Sequence, residues 1–216
     1  MSEVMTEDAA IGARVADTVY NRLRDEILNH TLPAGERLSV PAIAERFNVS
    51  RSPVREAVLR LVQDEFAQES RNKGATVTHI RVEDLAPLYE VREVLEGLAA
   101  GLSAEHATRE QLGQLQRNLM RHQAAVAAGD LSEHIELDLE FHALITWASG
   151  NPVLVSHLDK IHQKIRLGMI EAGQAGAEVA LKEHGDILQA ILAGDTQRSD
   201  TLARAHVKRV RKDLFG

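Results

Sequence analysis

The 216-residue chain reads as mainly α, in two parts. Residues 13–78 hold three helices and a two-stranded β-ribbon, and residues 83–216 hold six helices in an antiparallel bundle, with a linker at 79–82. Three observations predict this. Apolar residues recur at helical spacing along most of the chain. The one stretch with hairpin chemistry, 66–78, follows the third helical run. Beyond residue 83 the breaks between helical runs are short, which makes neighbouring helices antiparallel. No fixed-period repeat or low-complexity tract cuts across the division.

Residues 1–12 lack apolar periodicity and are expected to be mobile. Val19, Leu23 and Ile27 then recur every four residues with charge between them, which predicts an amphipathic helix over about 15–32. Leu32-Pro33-Ala34-Gly35 ends it. A short helix over 40–47 has Ser39 as its expected N-cap. After the turn Asn48-Val49-Ser50-Arg51, a third helix over about 53–65 is expected to be capped by Ser52. Pro53 suits its first turn, where a missing N–H costs nothing. Val54, Val58, Leu61 and Val62 face inward. Asn72-Lys73-Gly74 is the ribbon's turn. Two helices joined by a tight turn, with a ribbon after the third, predict a winged helix-turn-helix. The six later helices span about 83–106, 109–128, 131–148, 152–171, 176–193 and 197–214. They are separated at Thr108, Gly129-Asp130, Gly150-Asn151-Pro152, 173–176 and Gly194-Asp195.

Composition narrows the function. With 44% hydrophobic but only 3% aromatic residues, Leu, Ile, Val and Ala must fill the core. The absence of cysteine excludes a disulfide scaffold, a thiolate metal site and a thiol nucleophile. No run approaches the roughly 18 apolar residues of a membrane span, and the acidic N-terminus is no signal peptide, so a cytoplasmic protein without a membrane partner is expected. A net charge of -7 argues against a broadly basic nucleic-acid binder. The balance is local, however. Residues 46–60 carry Arg46, Arg51, Arg55 and Arg60 against Glu56 alone, a net +3. Arg51, Ser52 and Arg55 gather at the start of the third helix, the end that enters a major groove. Arginine reads guanine and neutralises phosphate.

Eight of the ten histidines lie beyond residue 80. His142 shares an inward stripe with Asp138, four residues earlier, beside Ile135, Phe141 and Ile145. His184 shares one with Leu181, Ile187, Leu188 and Ile191, and His206 with Leu202 and Val210. A carboxylate and three imidazoles in a core are costly unless paired, and a divalent metal removes that cost. The alternative is four separate hydrogen-bonded core residues. His134, four before Asp138, competes for the same role but is expected to be peripheral. His106, His122, His157 and His162 are expected at the surface or half-buried, without function.

The run Leu32-Pro33-Ala34-Gly35-Glu36-Arg37-Leu38, and above all Val49-Ser50-Arg51-Ser52-Pro53-Val54-Arg55-Glu56-Ala57, resembles the GntR family of bacterial transcription regulators. Residues 83–216 are similar to the FCD ligand-binding domain of its FadR subfamily, through Val91-Arg92-Glu93-Val94-Leu95-Glu96, Asp138-x-x-Phe141-His142, Gly150-Asn151-Pro152, Glu183-His184, Gly194-Asp195 and Ala205-His206. Six helices rather than seven resemble the VanR-type branch. The resemblance implies that Arg51, Ser52 and Arg55 contact operator DNA and that the wing near Lys73 and Gly74 reaches the minor groove. It also implies a divalent ion (Zn, Ni, Mn or Fe) on Asp138, His142, His184 and His206. A small organic acid effector would occupy open metal positions and pair with an arginine, Arg92 first and Arg166 second; the competing reading of both is an intrahelical or interhelical ion pair, and Arg92 precedes Glu96 on the first helix of the bundle. A homodimer would set two recognition helices on a palindrome. The sequence departs from the family at Pro41, where some members place a basic contact, and at Asp64-Glu65-Phe66, where the usual glycine is absent. Two other readings compete. A metal-dependent hydrolase could use the Asp and three His, although no His-Glu-x-x-His spacing supplies a general base. A scaffolding bundle would hold no metal at all.

Overall fold

The structure, a computed structural model, describes residues 2–70, 74–172 and 176–216, with side chains except at 2–11, 70, 82, 131 and 168–172. The chain divides into two compact units, 1–80 and 81–216.

The first unit runs α1 (Ser2–Leu28), β1 (Arg37–Leu38), α2 (Val40–Phe47), α3 (Arg51–Gln63), β2 (Ala67–Ser70) and β3 (Gly74–Val77). Helix α1 starts at Ser2, so it takes in the segment expected to be mobile, and it ends before the expected residue 32. The α3 cap is Ser50, not Ser52. Both are good cap formers, and the extended backbone of Ser50 (φ −69°, ψ 163°) decides between them; Pro53 still lies in the first turn. The ribbon gains a third strand, in the order β1-β3-β2, all antiparallel. Arg37 pairs with Thr76 and Leu38 with Ala75. A two-residue strand has no period to read, so the sequence missed it. Val19, Leu23, Ile27, Ile43, Val54 and Leu61 form the core. The Tyr20 hydroxyl donates to Asp64 at 2.6 Å, tying α1 to the end of α3. Burial and that carboxylate push the Tyr20 hydroxyl up to about 12. Within Asp64-Glu65-Phe66, Glu65 adopts a left-handed φ of 63°, a strain of roughly 1 kcal/mol for a residue with a Cβ.

The second unit begins with a 3-10 turn, Val82–Leu85, followed by α4 (Ala86–His106), α5 (Arg109–Ala128), α6 (Leu131–Ala148), α7 (Pro152–Ala172), α8 (Ala177–Leu192) and α9 (Thr196–Phe215). Sequence chemistry fixes the joints. Thr108 and Gln111 form a reciprocal capping box. Asp130 and Asp195 accept backbone N–H groups of Glu133 and Arg198. Gly129 sits at φ 70°, closing α5. Ala99, Ala100, Leu115, Phe141, Leu158 and Ile187 pack the core. Gly97 lets α9 approach α4: a Cβ there would stand 2.5 Å from the Cγ of Arg204. Among the described residues no helix is long and apolar enough to cross a membrane.

Candidate metal centre and nucleic-acid interface

In the first unit, α3 buries Val54, Ala57, Val58 and Leu61, which turns Arg51, Ser52, Arg55 and Leu59 to solvent. The four arginines that gave this segment its +3 fall into two sets. Arg46 donates to Glu26 at 2.7 Å and lies over the Phe47 ring. Arg60 pairs with Asp17 at 2.5 Å and lies over the Tyr20 ring at 4.5 Å. Both fasten α1 to its neighbours. Arg51 and Arg55 are exposed and have no ion-pair partner among the described residues. A groove of about 500 Å³ beside Arg55 is lined by Arg37, Leu38, Leu59, Glu69 and Gly74. Gly74 opens β3 at φ 77°, with no atom within 4 Å of where a Cβ would stand. Lys73 lies outside the described residues.

In the second unit, α6 supplies Asp138 and His142, α8 supplies His184 and α9 supplies His206. All four are buried, and one ligand atom from each lies within 4.8 Å of the others. His184 Nε2 stands 3.3 Å from His206 Nε2 and 3.6 Å from Asp138 Oδ1. Phe141 stacks on the His184 ring at 4.3 Å and holds its plane.

Two carboxylates orient these side chains, and the sequence pointed to neither as a partner of a histidine. Glu96 on α4 accepts from His142 Nδ1, from His162 Nε2 at 2.8 Å and from Arg92 Nε at 2.5 Å. Glu183 on α8 accepts from His206 Nδ1 at 2.7 Å and from Arg209. Each imidazole that donates Nδ1–H to a carboxylate keeps a lone pair on Nε2, the arrangement that prepares histidine for a metal. His142 Nε2 is buried with no partner. Burial holds the His142 imidazole down to about 4, against the pull of Glu96. Burial and the neighbouring His206 and His142 hold His184 well below its usual range. Burial would raise Asp138 and Glu96, but His142 and His206 outweigh it at Asp138, and Arg92 and His142 at Glu96. Neutral His142 and His184 beside an ionised Asp138 are in the protonation state a divalent cation requires. The donor set of three nitrogens and one carboxylate therefore fits such an ion.

Arg92 is only 1% exposed. It lies over Tyr89 and is bound to Glu96, and its Nη2 has no partner. Arg166 on α7 is held by Glu136 at 2.8 Å. Three histidines differ from expectation. His122 and His134 are buried in the core, joined Nε2 to Nδ1 at 2.6 Å, and His162 is buried against Glu96. Their partners lie on other helices, so spacing within one helix could not reveal them. The available signal was a polar residue on an apolar stripe: His122 stands seven beyond Leu115 and three before Ala125. His106 and His157 are exposed, as expected.

Comparison with known proteins adds a family match for each unit. The model for bacterial regulatory proteins of the gntR family matches residues 15–77, and that for the FCD domain matches 87–209. The chain is 31% identical over 191 residues to the HTH-type transcriptional regulator YdhC of Bacillus subtilis (87% of this chain, 84% of YdhC). It is 26% identical over 202 residues to the HTH-type transcriptional repressor RspR of Escherichia coli (93% and 89%). Among solved structures, Escherichia coli McbR/YncC superposes with a TM-score of 0.77 at 25% identity, covering 93% of this chain and 97% of that one. A GntR regulator from Rhodococcus sp. RHA1 superposes at 0.76 with the same identity and coverage. The metal-free FCD domain of TM0439 shares the fold of the second unit, with a TM-score of 0.52 at 20% identity over 63% of this chain.

Proposed function

Since the chain belongs to the gntR family of bacterial regulatory proteins and carries an FCD domain, it is a transcription regulator, and we propose that a small carboxylate effector controls its grip on operator DNA. Its relatives are regulators, not enzymes, and on that ground the hydrolase reading is withdrawn. The observation that carries the proposal is the convergence of Asp138, His142, His184 and His206 in the core. Those four hold the divalent ion, and Glu96 and Glu183 orient His142 and His206. When bound, the ion supplies a Lewis-acidic centre with positions open to carboxylate oxygens. Zinc, nickel, manganese and iron all suit this donor set. Arg92, with Nη2 free and its charge fixed by Glu96, takes the effector's carboxylate.

On the DNA side, Arg51 and Arg55 read or neutralise the operator, Ser52 adds a hydroxyl at the same helix start, and the wing around Lys73 and Gly74 follows the minor groove. A homodimer sets two such helices about 34 Å apart on a palindrome. The half-exposed stripe of Val91, Val94 and Leu98 on α4 is the apolar face a second copy would cover. An effector that binds one arrangement of the bundle better than another shifts the spacing of the two DNA-binding units. The test is elemental analysis of protein purified without a polyhistidine tag, followed by operator binding with and without a panel of carboxylic acids. Near-stoichiometric divalent metal and a change in operator affinity with at least one acid are expected. Metal-free protein whose melting temperature is insensitive to added zinc, nickel or manganese would return the bundle to a plain scaffold.

A further inference from the structure

Among the described residues of the first unit, one large apolar side chain is left exposed: Leu59, at 51%. Its place on α3 is specific. Ser52, Arg55 and Leu59 follow one another at intervals of three and four residues, so they share one face of the helix, turned away from buried Val54, Ala57 and Leu61. Leu59 also lines the groove of about 500 Å³ beside α3, together with Arg37, Arg55 and Gly74. Two arginines against the single acid Glu69 give that groove a net positive rim, which suits a polyanion. An isolated exposed leucine on an ordinary surface would call for no explanation. This one stands one turn beyond Arg55, on the face that carries the exposed arginine.

The chemistry of the side chain selects what it can meet. Leucine makes no hydrogen bond, so it gains nothing from a phosphate. In the major groove guanine, cytosine and adenine present donors and acceptors, and only thymine adds an apolar group, its C5-methyl. Set against a polar base edge, Leu59 would cut that edge off from water without replacing its hydrogen bond. Set against the methyl, it buries apolar surface on both sides. Arg51 to Leu59 spans about 12 Å of helix. A recognition helix lying along the groove reads bases over such a length.

We propose that Leu59 is a specificity-determining residue, which packs on a thymine C5-methyl in the major groove beside the bases met by Arg55. The inference rests on the assignment of α3 as the reading helix given above. The test first selects an operator from randomised duplexes with the full-length wild-type protein. Each thymine of one half-site, on either strand, is then replaced in turn by uracil, which lacks only the C5-methyl. Affinity is read by fluorescence anisotropy for the wild type and for Leu59→Ala. At one or two thymines uracil should weaken wild-type binding about fourfold, the worth of one buried methyl. In Leu59→Ala that sensitivity should vanish, and the variant should bind the thymine operator about as weakly as the wild type binds the uracil one. Any effect of uracil on the duplex itself is common to both proteins and cancels in the comparison. Because Leu59 is exposed, the variant should keep the wild-type melting temperature, which reports that it is folded. Uracil effects equal in wild type and variant at every thymine, or a selected half-site without thymine, overturn the role of Leu59 and leave α3 as the reading helix. Selection that enriches no sequence overturns both.

Discussion

The two units carry their chemistry in opposite places. The DNA-reading unit keeps it outside: Arg51 and Arg55 stand in solvent on a helix whose other face is packed by Val54 and Leu61. The helical unit keeps it inside: Arg92, Glu96, Asp138, His142, His184 and His206 are all buried. An exposed charge can be removed without disturbing the core beneath it. A buried one cannot, because its partner is left charged or unpaired in a place water does not reach. On the proposed reading, function and stability are separable in the first unit, and in the second the same side chains serve both.

The largest test of that contrast is Arg92→Met. It leaves Glu96 buried with only histidines for company. Breaking one partner out of a buried pair costs about 3–5 kcal/mol, so thermal denaturation should show a drop of many degrees. Adding Glu96→Gln should restore part of it, because the orphaned charge goes with it. A single variant as stable as the wild type would mean that this core is wetter than its burial indicates.

Metal comes next. Chelation should lower the melting temperature, and divalent ion at a hundredfold excess over its dissociation constant should return about 2.7 kcal/mol. Asp138→Asn should abolish that response. Proton uptake gives an independent check on the metal-free protein. His142 is held down to about 4 from an ordinary 6.5, and burial holds His184 well below its ordinary range as well. Between those values the unfolded chain binds protons that the folded chain refuses. Stability is therefore full above about pH 6.5 and falls as the pH drops toward 4. Asp138 and Glu96, also held low, withdraw their share at more acid pH. A melting temperature flat from pH 7 to 4 would contradict a core of neutral imidazoles.

In the other unit the expected sign pattern reverses. Arg55→Ala should cost about 1–3 kcal/mol of operator binding while leaving the melting temperature within about a degree or two, as for most exposed substitutions. Undiminished operator affinity would remove α3 as the reading helix.

The same inside–outside difference governs what the sequence could disclose. The segment proposed to read DNA is one contiguous run, from Val49 to Ala57, so its helix and its exposed arginines were legible almost whole. The convergence of Asp138, His142, His184 and His206 was legible because each stands on a strongly periodic apolar stripe, where a polar residue is conspicuous. The histidine partners of Glu96 and Glu183, and the burial of His122 and His162, were not, since those partners lie on other helices: Glu96 meets His142 and His162 across 46 and 66 positions. A polar residue on an apolar stripe announces that it has a partner but not which one. Strand β1 escaped for the same reason, as Arg37 and Leu38 become a strand only by pairing with Thr76 and Ala75.

The smallest effect is the most discriminating within the first unit. The sequence counted Arg60 with Arg51 and Arg55 in one basic patch, but the fold gives Arg60 a partner. It meets Asp17 at 2.5 Å and covers Tyr20, the residue whose hydroxyl holds Asp64 at the end of α3. Both contacts are at the surface, where an ion pair contributes about 0.2–1 kcal/mol and a cation over an aromatic ring about as much. Arg60→Gln should therefore lower the melting temperature by a few degrees at most and change operator affinity less than about threefold. Arg55→Ala should do the reverse, a large loss of affinity at constant stability. If Arg60→Gln instead weakened DNA binding as much as Arg55→Ala, the Asp17 contact would have to open on the operator. The four arginines would then again be the single patch that the sequence alone describes.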